Sequence, residues 1–459
     1  MAEQIYNPIL PLNVYIPDGE PRIFGDRLYL YGSHDRAGGT KYCELDYELW
    51  SAPVSDLRSW SCHGTSYMKR QDPLLADGKH ELYAPDCVKG PDGRYYLYYC
   101  FSEIMEIGVA VSDCPEGPFE YLGHVSKPEN IPEDMNYFDP GLHVDDDGRV
   151  YIYFGFRASY AAELESDMLT LKSEPVKLIP NAAEAKGTGF AGHGFFEASS
   201  MRKIDGRYYF IYSDENSHSL CYAVSDQPLC GFEYGGVLIS NGDIGLSGRT
   251  KALTQIGNTH GSIAQLSDAE GMPKFYVFYH RQTNGTEYSR QACAEEIRMD
   301  PEGRFIQTEI TSCGLNGGPL VASGTYPAAI ACHIADRTMP EKIDYSDPAV
   351  KERVRVTEEQ NTSFITGIKN RTKIGFKYFQ FMDADLCVME VRGSFFGNVT
   401  IAFQEDGKQE IGEFEFQVNS SEWDLQLMPI VPTPGRHALY FYFRGTGTMD
   451  LKTIGFVSA

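Results

Sequence analysis

Basic residues are scarce: 40 Lys and Arg stand against 64 Asp and Glu, a net charge of −24 over 459 residues. That balance excludes the basic stripe a phosphate backbone requires, and it disfavours an anionic membrane surface. A neutral ligand meets no such penalty. No apolar run is long enough to span a bilayer. The opening MAEQIYNPILPLNV lacks both the basic start and the apolar stretch of a secretory leader, so the expectation is a cytoplasmic protein. Eleven cysteines form no CxxC pair. They read as reduced, mostly buried thiols, not as a zinc site or a disulfide framework. The sequons at Asn361, Asn370, Asn398 and Asn419 are then chance matches. Helical periodicity is also thin throughout.

Aromatics, by contrast, reach 13%, with 30 tyrosines, alongside 45 glycines and 25 prolines. Turns plus tyrosine-rich strands favour an all-β chain. Internal repetition gives the arrangement. GDRLYLYGSHD (Gly25–Asp35), DGRYYLYYCFS (Asp92–Ser102), DGRVYIYFGFR (Asp147–Arg157) and DGRYYFIYSDE (Asp205–Glu215) share a turn, an arginine and an alternating aromatic run. MPKFYVFYHRQ (Met272–Gln282) is a weaker fifth copy. Aligned on Tyr29, Tyr96, Tyr151, Tyr209 and Tyr276, the copies are 67, 55, 58 and 67 residues apart. A turn ahead of an alternating aromatic run is a hairpin signal. Five such units predict a five-bladed β-propeller over residues 1–318. A Gly/Pro/Ala-rich connector is expected over 319–356. The alternating runs of 357–459 predict a C-terminal, jelly-roll-like β-sandwich.

An acid or histidine precedes each hairpin: Asp18, Asp86, Asp139, Glu197 and His260. In a propeller the first strand of each blade lines the axis, so these residues should meet at one mouth. His34, Asp214 and Arg281, at the ends of second strands, should join them. Each acid alone reads as a turn cap. Four at equivalent positions point to a site, because clustered carboxylates raise one another's pKa and oppose folding. Asp145, Asp146, Asp147 and Asp205 belong to the turns themselves.

The ordered blocks PDGEPRIFGDRLYLYGSHD, YAPDCVKGPDGRYYLYY, FDPGLHVDDDGRVYIYFG, FFEASSMRKIDGRYYFIYS, NTHGSI and YHRQ resemble glycoside hydrolase family 43 from about Asn7 to Gly314. Those are five-bladed propellers that hydrolyse glycosides with inversion. The resemblance implies Asp18 as general base, Glu197 as general acid and Asp139 as the acid that tunes and orients the donor. It implies His34, Tyr83, Asp86, Phe138 and Arg281 as substrate contacts and His260 as an axial cation or water site. It implies no cofactor for the chemistry and leaves open a structural calcium ion near the axis. The expected activity is exo-hydrolysis of terminal α-L-arabinofuranosyl or β-D-xylosyl residues from plant oligosaccharides. Two other readings stay open: a metal-dependent propeller lactonase and a non-catalytic sugar-binding propeller. Tyr83 stands where many members carry Trp, and PDGEP differs from their usual context around the base. The last hundred residues resemble a family 6-type carbohydrate-binding sandwich. Their final loop, Gly445-Thr446-Gly447-Thr448, lacks the customary Asn, which favours a structural or site-shaping role. The sequence does not indicate an oligomeric state.

Overall fold

The computed structural model describes residues 4–268, 270–336 and 347–458. Five four-stranded antiparallel sheets follow one another along the chain. The first holds β1 (Glu20–Phe24), β2 (Arg27–Tyr31), β3 (Tyr47–Pro53) and β4 (Ser61–Tyr67), and the second β5 (Asp86–Lys89), β6 (Tyr95–Cys100), β7 (Ile107–Ser112) and β8 (Glu120–His124). The third comprises β9 (Gly141–Val144), β10 (Val150–Phe154), β11 (Tyr160–Leu164) and β12 (Val176–Lys177). The fourth comprises β13 (Phe195–Ile204), β14 (Arg207–Asp214), β15 (Leu220–Ser225) and β16 (Glu233–Ile239). The fifth comprises β17 (Ile263–Ser267), β18 (Pro273–Gln282), β19 (Arg290–Met299) and β20 (Phe305–Ile306).

The second strands explain the ring. Their side chains alternate between faces, and both faces are covered by another blade. Tyr29 and Tyr31 pack with Leu97 and Tyr99 of the second blade, while Leu28 and Leu30 pack with Tyr276 and Phe278 of the fifth. Tyr96 and Tyr98 join Ile152 and Phe154; Tyr151 and Tyr153 join Phe210 and Tyr212. Tyr209 and Ile211 join Val277 and Tyr279, so five inter-blade cores close a circle. The N-terminal segment helps close it. Asn7 exchanges side-chain bonds with the backbone of Ala294, at 3.0 and 3.1 Å, and donates to Glu295 at 2.8 Å.

Strands β21 (Leu320–Val321), β22 (Gly324–Pro327), β23 (His333–Ala335), β24 (Arg355–Glu359), β25 (Thr362–Ile368), β26 (Lys373–Phe381), β27 (Leu386–Ala402), β28 (Glu410–Pro429) and β29 (Gly435–Val457) form the C-terminal unit. They surround one apolar core that includes Phe376, Phe379, Phe395, Phe441 and Phe456. The stretch read as a connector therefore contributes three short strands: β21 and β23 pair with β26, and β22 pairs with β29. Its residues 337–346 lie outside the described residues. All eleven cysteines are free, eight of them buried. No described helix is long and apolar enough to cross a membrane.

Candidate active site

First strands stack their axial side chains in layers, and the register of each hairpin fixes the layer. Glu20 lies opposite Tyr31, Asp86 opposite Tyr98 and Ser200 opposite Ile211; each partner is two residues beyond its blade's reference tyrosine. These three occupy one level inside the tunnel. One layer nearer the mouth come Asp18, just before β1, Asp139, just before β9, and Glu197, within β13. His260 precedes β17. All four line a cavity of about 730 Å³.

The backbone bends to present them. Asp18 and Asp139 adopt φ of 57° and 47°, and Ala198, next to Glu197, has φ of 69°. Asp tolerates this left-handed region better than most residues. In Ala and Asp alike it is unusual enough to mark places where structure serves a site. The ladder slips on both sides of Glu197, and such a bulge re-aims a side chain.

The acids receive unequal partners. Arg290 donates to Asp18 at 2.7 Å and grips Asp35 through Nε and Nη2 at 2.8 and 3.0 Å, with its guanidinium under the ring of Tyr42. Burial pushes the Asp18 carboxyl up, but Arg290 foremost, joined by His280, His260 and the Ser33 hydroxyl, reverses this, so it sits below the usual carboxylate value. His280 accepts the Asp18 N–H at Nδ1 (3.2 Å), and its Nε2 lies 2.8 Å from the Asn258 carbonyl. Burial and then Arg290 lower His280 to about 3, so it is neutral, with its proton on Nε2. Asp139 accepts the Ala198 N–H at 3.0 Å and lies 3.4 Å from His260 Nδ1. Burial opposes a charge on His260, but Asp139 overrides it and lifts the imidazole to about 9. The Glu197 carboxyl has no hydrogen bond or ion pair among the described residues. Burial first and the Asp139 carboxylate second raise it to about 8. Near neutral pH Asp18 is therefore ionised while Glu197, in the same cavity, is protonated. That pairing can deliver a proton and accept one in the same event.

Tyr83 and Phe138 line the cavity as expected, beside Phe156 and Phe196. Four other expected residues do not line it. Asp86 belongs to the layer below, where Arg22 holds it through Nε at 2.8 Å and Leu142 N–H donates to it at 2.6 Å. His34 turns to the Asp46 carbonyl, and its neighbour Asp35 faces inward instead. Arg281 points at the carbonyls of Ala329 and Ala331, while its neighbour His280 faces Asp18. Both misplacements are one-residue offsets, which put a side chain on the opposite face. The Asp214 carboxylate is engaged by His193 and Ser217. Arg290, at the start of β19, is the cation that the acidic cluster required.

Nor do the axial residues suit a calcium ion, which takes six to eight oxygen ligands. In the layer below the mouth, Glu20 is paired with Arg202 at 2.7 Å and Asp86 with Arg22, so both carboxylates are already compensated. His260 offers nitrogen where calcium takes oxygen, and its Nδ1 already faces Asp139 at 3.4 Å.

A five-bladed propeller with opposed carboxyl states in one cavity at its mouth has the build of a hydrolase. The chain belongs to the glycosyl hydrolases family 43, whose sequence profile matches residues 5–305, and is therefore a glycoside hydrolase. A xylosidase/arabinosidase of Thermoclostridium stercorarium is 39% identical over 99% of both chains. Xylosidase/arabinosidase 43A of Humicola insolens is 31% identical over 64% of this chain and 97% of its own. Among solved structures, a family 43 β-xylosidase/α-arabinofuranosidase from a compost metagenome, in complex with xylotriose and calcium-free, superposes with a TM-score of 0.53. It is 25% identical and covers 66% of this chain and 97% of its own.

Proposed function

We propose that this hydrolase removes terminal β-D-xylosyl or α-L-arabinofuranosyl residues from short oligosaccharides with inversion, using Asp18 as base and Glu197 as acid. The observation that carries the reading is the opposite treatment of these two carboxyls within one cavity. Arg290 keeps Asp18 ionised; burial and Asp139 keep Glu197 protonated. Asp18 takes a proton from the attacking water as oxygen bonds to the anomeric carbon. The glycosidic bond breaks on the opposite face, and Glu197 gives its proton to the departing oxygen. Inversion needs room for that water, roughly 6.5–9.5 Å between carboxyls. Residues from the first and fourth blades, facing across the mouth, can provide such a gap; neighbours on one strand cannot. Asp139 acts through the donor by raising its pKa and by ordering the bulge through the Ala198 N–H.

The pentose assignment is supported by the names of the relatives. The chemistry needs no cofactor. The paired state of Glu20 and Asp86 favours an axis held by guanidinium groups over one held by calcium. The test is turnover of aryl β-D-xyloside, α-L-arabinofuranoside and galactoside, with the first-formed anomer followed by NMR. Release of a pentose of inverted configuration supports the reading. Retention, or turnover of the galactoside alone, contradicts it.

A further inference from the structure

The loop 240–262 joins the fourth and fifth blades and carries Ile244, Thr250 and Ile256 into the cavity wall before reaching Asn258 and His260. Its tip is a tight turn in which Gly245, Ser247 and Gly248 have φ of 93°, 52° and 74°. The tip itself adds no side chain to the blade cores. The Ile244 carbonyl accepts from Gln307 Nε2 of the fifth blade at 2.9 Å, and beyond it the ties of the tip run to the C-terminal sandwich. The Arg249 guanidinium forks onto Glu405, Nη1 to Oε1 at 3.2 Å and Nη2 to Oε2 at 2.6 Å. Glu405 sits in the turn between β27 and β28, and Lys373 of β26 meets the same carboxylate at 3.1 Å. At the base of the loop, Asp243 is paired with Lys377 of β26 at 2.8 Å, and the Leu253 carbonyl accepts the Ile334 N–H at 2.9 Å. The neighbouring loop 283–289, which brings Glu287 to the cavity, is tied likewise: the Asn284 N–H donates to the Val356 carbonyl at 2.8 Å.

The acids lie buried at the cavity floor, whereas Thr250 is exposed and Ile244 half-buried at its rim. In exo-cleavage the terminal sugar occupies the floor and the leaving sugar meets the rim. We propose that Glu405 is a positioning residue for the leaving-group side of the substrate. By holding Arg249 it sets the Ile244–Thr250 wall, so the sandwich is a working part of the active site. A bidentate guanidinium–carboxylate pair supplies the fixed geometry this requires.

This proposal rests on the pentosidase reading, and the experiment separates the two. Glu405→Gln, Arg249→Gln and the double variant are compared with wild type on two substrates: the best aryl pentoside and the matching trisaccharide. Hydrogen exchange over 245–251 is followed in parallel. Each single variant should raise KM for the trisaccharide about five- to tenfold, with kcat and the aryl-pentoside KM within about twofold. The double variant should be no worse than either single one, because both remove one interaction. Exchange at the tip should quicken. An unchanged trisaccharide KM, an equal loss on both substrates, additive losses or unchanged exchange each overturn the proposal. Should Glu405→Gln fail to fold, Arg249→Gln makes the same test from the propeller side. Wild type that cleaves neither substrate defeats the pentosidase reading, and the exchange arm then decides the role of Glu405 by itself.

Discussion

Asp18 and Glu20 stand two residues apart on the approach to one strand, facing the same axis one layer apart, yet they have opposite fates. Glu20 is locked by Arg202 and by the Ser200 hydroxyl, and beside it Asp86 is locked by Arg22. In that layer each carboxylate has a guanidinium partner, and a buried pair of this kind does little besides hold position. At the mouth the pairing is incomplete. Asp18 shares Arg290 with Asp35, Asp139 has His260, and Glu197 has no cation. In the proposed mechanism, the shortage of positive charge at that level is what makes a proton donor and a proton acceptor out of an acid layer.

The sharpest way to break this contrast is to remove the working acids. Asp18→Asn and Glu197→Gln should each lower kcat by about 10²–10⁴-fold. Along a series of aryl pentosides, the Asp18→Asn loss should be uniform. The Glu197→Gln loss should shrink as the leaving group improves and needs less protonation. In the tunnel the same chemistry has a different cost. Asp86→Asn leaves Arg22 without its main partner, and denaturant unfolding should show a loss of about 3–5 kcal/mol. Turnover per folded molecule should stay near wild type.

Smaller changes should sharpen the contrast. Arg290→Gln removes the charge that holds Asp18 below the usual carboxylate value, so its pKa rises. The acid limb of kcat/KM should then move to higher pH by about one to two units. Asp139→Asn removes the second cause of the raised Glu197 pKa, so that pKa falls. The alkaline limb should move to lower pH by about one unit, while the acid limb stays in place. An unshifted alkaline limb would remove Asp139 from the role of tuning the donor.

Much of this was legible in the sequence, because repetition supplies what a single motif cannot. The five hairpins followed from spacing, since blades share one register; spacing also offered four acids for the mouth, Asp18, Asp86, Asp139 and Glu197, and the resemblance to family 43 singled out three of them. The layers were not legible. Asp86 is 10 residues before its reference tyrosine, whereas Asp18 is 11 and Asp139 and Glu197 are 12 before theirs. Turns and bulges of differing length hide the fact that Asp86 matches Glu20, and only the pairing register reveals it. The second-strand ends failed by one residue: His34 for Asp35 and Arg281 for His280. There the strands give way to loops, and alternation no longer says which neighbour faces in. Arg290 lies on a third strand, outside every repeated block, and nothing in its surroundings marks it. The strands at 320–335 were hidden because they are short and Ala/Gly-rich, and partners far along the chain determine their pairing.

The division of protonation states is tested most directly by titrating the carboxyls themselves. In protein labelled with 13C at the glutamate side-chain carboxyl, Glu197 is assigned by the signal missing from Glu197→Gln. Its resonance should titrate near pH 8 in wild type and at lower pH in Asp139→Asn. A Glu197 carboxyl that ionises in the ordinary range, near pH 4 to 5, in both proteins would contradict its role as the proton donor held ready by burial and Asp139.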